Sequence, residues 1–167
     1  MPPERLQIEP ATRADLEAVA DCWVALARDQ REYGSHVLPE ANRESILELL
    51  SAHQFNDGLL VARLDGDLVG FATVAVEHGT FTLDATRGIL SNLYVTPPVR
   101  GRGIGTALLE RAQDTLEEQG VEVVTLEAMA DNESARRFYR RHGYEPYRVA
   151  MERSLADEND THSKEDE

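Results

Sequence analysis

Apolar positions recur along this chain with two different spacings, which predict helices and strands. Helical spacing, with apolar residues three and four positions apart, predicts helices over Ala14–Arg28, Ala41–Ser51, Ile104–Gln119 and Glu133–His142. Alternating or short apolar runs predict strands over Leu6–Ile8, Leu59–Leu64, Leu68–Val76, Gly88–Val95, Val121–Leu126 and Tyr147–Arg153. The resulting order is β-α-α-β-β-β-α-β-α-β, which indicates a mixed α/β domain.

Short polar signals mark where several of these elements begin and end. Thr12 followed by Asp15 is a helix-start pattern, and Asp65-Gly66-Asp67 is typical of a β-hairpin turn. Gly120 and Gly143 each follow a predicted helix, at the position where glycine ends helices. Val121–Leu126 is predicted to be a buried strand.

The length and composition predict one globular domain. With 167 residues and 41% hydrophobic content, the chain can build one core, which we place over residues 1–153. Residues 154–167 are rich in acids, poor in apolar residues and predicted to be disordered. The chain has no apolar run of about 18 residues and no signal-peptide pattern at Met1, so a cytoplasmic protein without membrane contact is expected.

The net charge and the few cysteine and histidine residues limit which molecules and metal ions the chain is expected to bind. Thirty-one acidic against 17 basic residues give a net charge of −14, which disfavours nucleic acids and anionic membranes as partners. Because Lys164 is the sole lysine, the acid excess is also typical of a salt-adapted organism, and the charge by itself names no substrate. The single cysteine, Cys22, and the spacing of the histidines indicate no metal site.

The most informative segment is the glycine-rich run between the fourth strand and the third long helix. Its residues, Arg100-Gly101-Arg102-Gly103-Ile104-Gly105-Thr106, combine three glycines with two arginines. Glycine lets the backbone approach a ligand closely, and the first turn of a helix presents N–H groups that no helical carbonyl accepts. This arrangement predicts an anion site suited to a pyrophosphate.

Two common phosphate-binding patterns fit this segment poorly. A P-loop requires a Gly-Lys-Ser/Thr ending, which the chain lacks. A Rossmann dinucleotide site would find its ribose-binding acid at Glu127, but the third glycine of its pattern is absent, because Thr106 stands in that position. The segment Thr96–Arg100 also separates the strand from its glycines, and the chain offers too few βα repeats for that fold.

The glycine run and a later motif together resemble the GNAT N-acetyltransferase superfamily. Arg100-Gly101-Arg102-Gly103-Ile104-Gly105 fits the superfamily's hallmark of Arg or Gln, two residues, Gly, one residue, then Gly or Ala. Asn92–Pro97 resembles its fourth strand. Asn132–Tyr139 and Gly143-Tyr144 fit its later motif, so the resemblance covers Gly88–Val149 closely.

The resemblance implies a fold and a cofactor site. It implies one domain whose mixed, mostly antiparallel sheet is flanked by helices and has two splayed parallel strands, Gly88–Val95 and Val121–Leu126, with acetyl-CoA between them. The pyrophosphate would lie on Arg100, Gly101, Arg102, Gly103, Ile104, Gly105 and Thr106. The pantetheine arm would pair with Leu93, Tyr94 and Val95 and meet Asn132 and Ala135. Arg100 or Arg102 would contact a CoA phosphate, unless it is merely solvated, and Asn132 fits a plain helix cap as well.

The resemblance also implies a mechanism in which an amine attacks the thioester directly. Tyr139 is the candidate acid that gives the leaving thiolate a proton, with a packing role as the structural alternative. A backbone N–H of Tyr94 or Val95 would stabilise the oxyanion. The general base stays unassigned, because Ser91-Asn92 stands where several relatives have Glu; the candidate relays are Glu77, His78, Asp84, Asp29 and Glu32.

The predicted activity is transfer of acetyl from acetyl-CoA to a primary amine on a small molecule or a protein. The sequence does not identify this acceptor, whose recognition we assign to Asp29–Asn56 and His78–Arg87. A CoA-binding sensor or interaction module without catalysis is the alternative from another functional class. A homodimer is left open.

Overall fold

The structure, a computed structural model, describes residues 5–156. Its strands are β1 (Leu6–Pro10), β2 (Leu59–Leu64), β3 (Asp67–Val76), β4 (Arg87–Val95) and β5 (Val123–Leu126). Its α-helices are α1 (Leu16–Arg31), α2 (Arg43–Phe55), α3 (Ile104–Glu118) and α4 (Glu133–Arg141). The first compact unit ends at Asn132 and contains the sheet with α1, α2 and α3; the second begins at Glu133 and contains α4.

The strands form one mixed sheet in the order β1-β2-β3-β4-β5. Neighbouring strands are antiparallel except β4 and β5, which are parallel. Asp65 and Gly66 join β2 to β3 with φ angles of 53° and 88°, which the Asp-Gly pair of a tight hairpin tolerates. The predicted α/β fold with its two parallel strands is therefore confirmed.

Helices cover both faces of this sheet. On one face α1 and α2 pack through Val19, Ala20, Ile46 and Leu50 against residues that include Phe71 and Tyr94. On the other face α3 lies close to β3 and β4. A Cβ at Gly70 would lie 3.2 Å from Leu108, and one at Gly88 would lie 2.9 Å from Leu116, so glycine allows α3 its close approach.

The structure corrects two of the predicted strands. Tyr147–Arg153 is neither strand nor helix; Tyr147, Val149 and Met151, 71%, 80% and 91% exposed, alternate as in a strand but bury no common face. Strand hydrogen bonds require a neighbouring strand, which alternation alone does not supply. The strand predicted over Val121–Leu126 begins at Val123, which is 45% exposed, because β5 is the last strand of the described sheet. Most of the predicted tail, residues 157–167, lies outside the described residues.

Candidate functional site

Strands β4 and β5 separate partway along their length. They pair from Arg87 opposite Val123 to Leu90 opposite Leu126, where β5 ends. Strand β4 continues to Val95 and stays paired with β3 on its other side. Within the described sheet, the last part of β4 therefore has one edge that no strand covers, which we call the open edge.

A β-bulge sets which backbone groups point toward the open edge. Val74 pairs with Leu90 and Thr73 with Asn92, so Ser91 is the extra residue. Beyond the bulge, the N–H of Thr96 donates to the carbonyl of Val69 at 2.8 Å, across to the chain leading into β3. Because backbone groups alternate along a strand, those of Tyr94 point toward β3, and those of Leu93 and Val95 point toward the open edge.

The side chains of Tyr94 and Asn92 belong to the face covered by α1 and α2. The Tyr94 ring lies 6.4 Å from the Phe71 ring, and burial raises the pKa of its phenol. The Asn92 amide donates a 2.9 Å hydrogen bond to the hydroxyl of Thr73. Asn92 therefore has a structural partner on the neighbouring strand.

The glycine-rich run forms the start of α3. Gly101 and Gly103 have φ angles of 80° and 82°, in the left-handed region that glycine tolerates. Gly103 is the N-cap and supplies no side-chain hydrogen bond, and the first turn of α3 holds no acid. By contrast, α1, α2 and α4 each have a glutamate in the first turn. The positive end of α3 therefore has no acidic side chain in its first turn. This leaves it available to bind the anion of a ligand.

The two arginines of this run are placed differently. Arg102 is exposed between the two left-handed glycines. The Nε of Arg100 donates to the Val95 carbonyl at 2.8 Å, and its Nη2 lies 3.4 Å from an oxygen of Asp29 in α1. Its guanidinium also lies 5.4 Å from the centroid of the Tyr94 ring. No sequence pattern indicates these contacts, because Asp29 is remote in sequence and the bulge at Ser91 orients the carbonyl.

In the second unit, α4 carries the predicted acid. The Tyr139 ring packs edge-on against Phe138 and Tyr144, with centroid distances of 5.2 Å and 5.8 Å. Burial, assisted by the neighbouring Tyr144, raises the pKa of Tyr139 to about 12. Its phenol therefore keeps its proton at neutral pH. Ala135 lies one helical turn earlier on α4, and Asn132 directly precedes this helix.

Two of the candidate relay carboxylates have arginine partners. Glu77 pairs with Arg87, and Asp29 pairs with Arg100. Glu32, His78 and Asp84 are exposed. The described geometry therefore selects none of the five as the general base.

A cavity of about 410 Å³ lies beside α1 and α2. Its apolar lining consists of Trp23, Val37, Leu38, Ile46 and Leu49, and its polar lining of His36, Asn42 and Ser45. Trp23 also packs against the core cluster that contains Tyr94. Except for Trp23, the lining residues fall within the segment Asp29–Asn56 expected to recognise the acceptor, although the sequence did not indicate the apolar character of the cavity.

Residues 5–156 contain no group of three or more His, Cys, Asp or Glu arranged to hold a metal ion. No helix within the same residues has both the length and the apolar content of a membrane span.

Comparison with known proteins supports the resemblance drawn from the glycine run. The model of the acetyltransferase (GNAT) family matches residues 23–144. An uncharacterized N-acetyltransferase of Archaeoglobus fulgidus is 32% identical over 136 residues, covering 80% of this chain and 89% of that relative. A mycothiol acetyltransferase of Sanguibacter keddieii is 38% identical over 127 residues, covering 73% of this chain but only 39% of that relative.

A solved structure shows the same fold. A predicted acetyltransferase of Clostridium acetobutylicum, crystallised with acetyl-CoA, matches with a TM-score of 0.72 at 18% identity. The match covers 91% of this chain and 97% of that one.

Proposed function

This chain belongs to the acetyltransferase (GNAT) family and is an N-acetyltransferase, and we propose that it moves acetyl from acetyl-CoA directly to a primary amine through a tetrahedral intermediate. The observation that carries the proposal is the open edge of β4 beside the start of α3. The edge suits an extended arm that carries amide groups, and the helix start suits a pyrophosphate. Acetyl-CoA combines both chemical features.

The cofactor contacts follow from this arrangement. The pyrophosphate would accept hydrogen bonds from backbone N–H groups of residues 101–106, with Arg102 positioned to add charge. The N–H of Arg100, expected in this set from the sequence, donates instead to the Pro97 carbonyl at 3.2 Å. The pantetheine arm would pair with Leu93 and Val95, whose backbone groups point toward the open edge. Following the resemblance, Asn132 and Ala135 would contact the same arm.

The chemistry requires one bond to form and another to break. The amine nitrogen attacks the thioester carbon, and the carbon–sulfur bond breaks when the tetrahedral intermediate collapses. We assign oxyanion stabilisation to the N–H of Val95 rather than that of Tyr94, because only the former points toward the open edge. Tyr139 would give a proton to the leaving thiolate. The nitrogen, which attacks as a neutral amine, would give one proton to water, and a proton from water would restore the phenol of Tyr139.

We place the acceptor's substituent in the cavity beside α1 and α2. The five apolar residues of its lining favour an alkyl or aryl group, and within residues 5–156 the lining contains neither Asp nor Glu. A polycation would have no carboxylate there to pair with. The proposed acceptor is therefore a primary amine that carries an apolar group, on a small molecule or at a protein terminus.

A matched panel of amines tests the activity and the acceptor class together. Thiol release would be measured with phenethylamine, a peptide with an N-terminal leucine, ethanolamine and spermidine, while calorimetry measures acetyl-CoA binding. Turnover that is fastest with phenethylamine or the peptide is expected. Turnover only with spermidine would overturn the acceptor class. Binding without any turnover would favour the CoA-binding module, and absence of both would overturn the function.

A further inference from the structure

Arg100 belongs to the glycine run, yet its side chain reaches back to the strand. Three contacts define its position: the 2.8 Å hydrogen bond to the Val95 carbonyl, the Asp29 carboxylate at 3.4 Å and the Tyr94 ring at 5.4 Å. The carbonyl and the carboxylate belong to different elements, β4 and α1. A guanidinium held in this way has its Nε–H committed to the backbone of the open edge.

We propose that Arg100 is a positioning residue that closes the open edge of β4 at the Val95 carbonyl. In this role it limits the ways in which the pantetheine arm of the acetyl donor can pair with the strand. The proposal rests on the proposed function, since it concerns how that donor is held. It differs from a role as a phosphate ligand, which would act on the nucleotide part of the donor rather than on the pantetheine arm.

The pairing rules of strands show what this closure does. An arm that adds in parallel opposite Tyr94 uses the carbonyl of Leu93 and the N–H of Val95. An arm that adds antiparallel at Val95 would use both the N–H and the carbonyl of Val95. Arg100 already occupies that carbonyl. A further parallel step would need an N–H at Pro97, which proline lacks. Arg100 and Pro97 together therefore make the N–H of Val95 the last backbone group of β4 with which the arm can form a hydrogen bond.

Asp29 on α1 and the ring of Tyr94 on β4 both contact the guanidinium and hold it in place. Tyr94 is buried, so its ring is a fixed surface for the cation. Asp29 and Arg100 are each about half exposed, at 48% and 49%, so their ion pair contributes orientation more than stability. The Asp29 carboxylate, a candidate relay on sequence grounds, thereby acquires a second role through Arg100.

The test compares two acetyl donors, acetyl-CoA and S-acetylpantetheine, which lacks the nucleotide and its phosphates. For Arg100→Ala we expect kcat to fall about tenfold with both donors, while KM for each donor changes less than about threefold. A loss confined to acetyl-CoA and expressed in KM would identify a phosphate contact and overturn the proposal. An unchanged kcat with both donors would overturn it as well.

Arg100→Gln is the rescue variant. The Nε2 of glutamine stands at the same number of bonds from Cα as the Nε of arginine, so it can donate to the Val95 carbonyl without the charge. We expect Arg100→Gln to recover most of kcat with both donors. Failure to exceed Arg100→Ala, with an unchanged melting temperature, would contradict closure through this hydrogen bond.

Asp29→Asn tests the support of Arg100. We expect a smaller fall in kcat than for Arg100→Ala, and no further fall when both substitutions are combined, because Asp29 acts through Arg100. Fully multiplicative losses would contradict this coupling. Arg111→Ala, an exposed arginine of α3, is the matched control and should behave as the parent with both donors. A parent inactive with both donors would overturn the proposed function itself, whereas an active parent with a silent Arg100→Ala overturns only the positioning role.

Discussion

At the scale of single residues, the raised pKa of Tyr139 limits how this side chain can act as an acid. With a pKa of about 12, its phenol is a weaker acid than an ordinary thiol. Handing a proton to a thiolate would therefore be uphill if it occurred alone. The transfer must therefore be coupled to proton loss from the attacking amine, so that no free phenolate accumulates.

Tyr139→Phe isolates this role, because it keeps the ring that packs against Phe138 and Tyr144 and removes only the hydroxyl. We expect kcat to fall about 100-fold, at the low end for general acid catalysis, since a thiolate is a tolerable leaving group. The affinity for acetyl-CoA, measured by calorimetry, and the melting temperature should stay near the parent values. A kcat within about twofold of the parent's would assign the tyrosine to packing.

The pH profile gives a second, independent check on the same residue. An ionised phenol cannot donate, so a pKa raised to about 12 moves the loss of the acid to high pH. We expect kcat for an amine of low basicity to stay level from pH 8 to 10.5. A decline centred near pH 10, absent in Tyr139→Phe, would mean that the phenol titrates at its ordinary value.

At the scale of elements, a substitution at the start of α3 can separate the effect on helix stability from the effect on CoA binding. An aspartate at Gly105 would stabilise the helix through its dipole but would place a negative charge at the proposed pyrophosphate site. We expect Gly105→Asp to weaken CoA binding by about 30-fold or more, measured by calorimetry, with the fold intact. Gly103 is less suitable for this test, because its φ of 82° would strain any side chain.

Gly105→Ala is the control for this substitution. Alanine raises helix propensity by about 1 kcal/mol over glycine and adds no charge. CoA affinity should remain within a few-fold of the parent in this variant. Unchanged affinity in a folded Gly105→Asp variant would move the pyrophosphate away from α3.

A second element-scale prediction concerns the ion-pair cluster that joins β1, β2 and the turn before α1. Arg63 donates to Asp15 at 2.7 Å and to Glu9 at 2.6 Å, and the N–H of Thr12 donates to Asp15 at 2.8 Å. Burial opposes the charge on Asp15, but its hydrogen bonds with Arg63 and Thr12 outweigh that effect and lower its pKa. Asp15 therefore stabilises the fold above its ordinary pKa, and the gain is lost as pH falls through the lowered value.

Asp15→Asn should lower the free energy of unfolding by about 1–3 kcal/mol at pH 7, because the hydrogen bonds lose their charge. In urea titrations the difference from the parent should shrink at pH 3. Glu9→Gln is the matched control, since Glu9 is more exposed and its pairing should contribute about 1 kcal/mol or less. Equal losses of unfolding free energy in the two variants would show that the greater burial of Asp15 does not make its ion pair with Arg63 stronger than that of Glu9.

Local signals predicted elements well where one residue type controls the backbone. The start of α3 and the bounds of the first hairpin strand were predicted to the residue, because Gly103 and the Asp65-Gly66 pair favour the required left-handed φ. Tyr147–Arg153 failed, since a strand depends on a neighbour that alternation cannot reveal. Of the candidate site, the sequence predicts the glycine run as an anion-binding segment. The direction of the Val95 N–H depends on the bulge at Ser91, and the position of Arg100 on the distant Asp29, so neither could be predicted.

At the scale of the whole molecule, the net charge of −14 decides how salt should act on stability. Several ion pairs, such as Arg28–Glu40 and Arg5–Asp65, are exposed on both sides and contribute little, so their screening costs little. Repulsion among the excess carboxylates acts over the whole surface and destabilises the compact state. Salt should therefore raise the stability of this chain.

We propose that the acid excess with one lysine is an adaptation to salt, and the melting temperature in KCl tests it. At 0.1 M salt, repulsion between charges more than about 10 Å apart is already largely screened, whereas adaptation to salt implies a gain in stability that continues into the molar range. We expect the melting temperature to rise by several degrees between 0.1 and about 2 M KCl, which corresponds to about 1–2 kcal/mol for a chain of this size. The matched control replaces four exposed acids of α3 by their amides, namely Glu110, Asp114, Glu117 and Glu118. Its rise should be shallower, because less repulsion remains to be relieved. A parent whose melting temperature is flat or falls over this range would contradict the adaptation and leave the acetyltransferase assignment untouched.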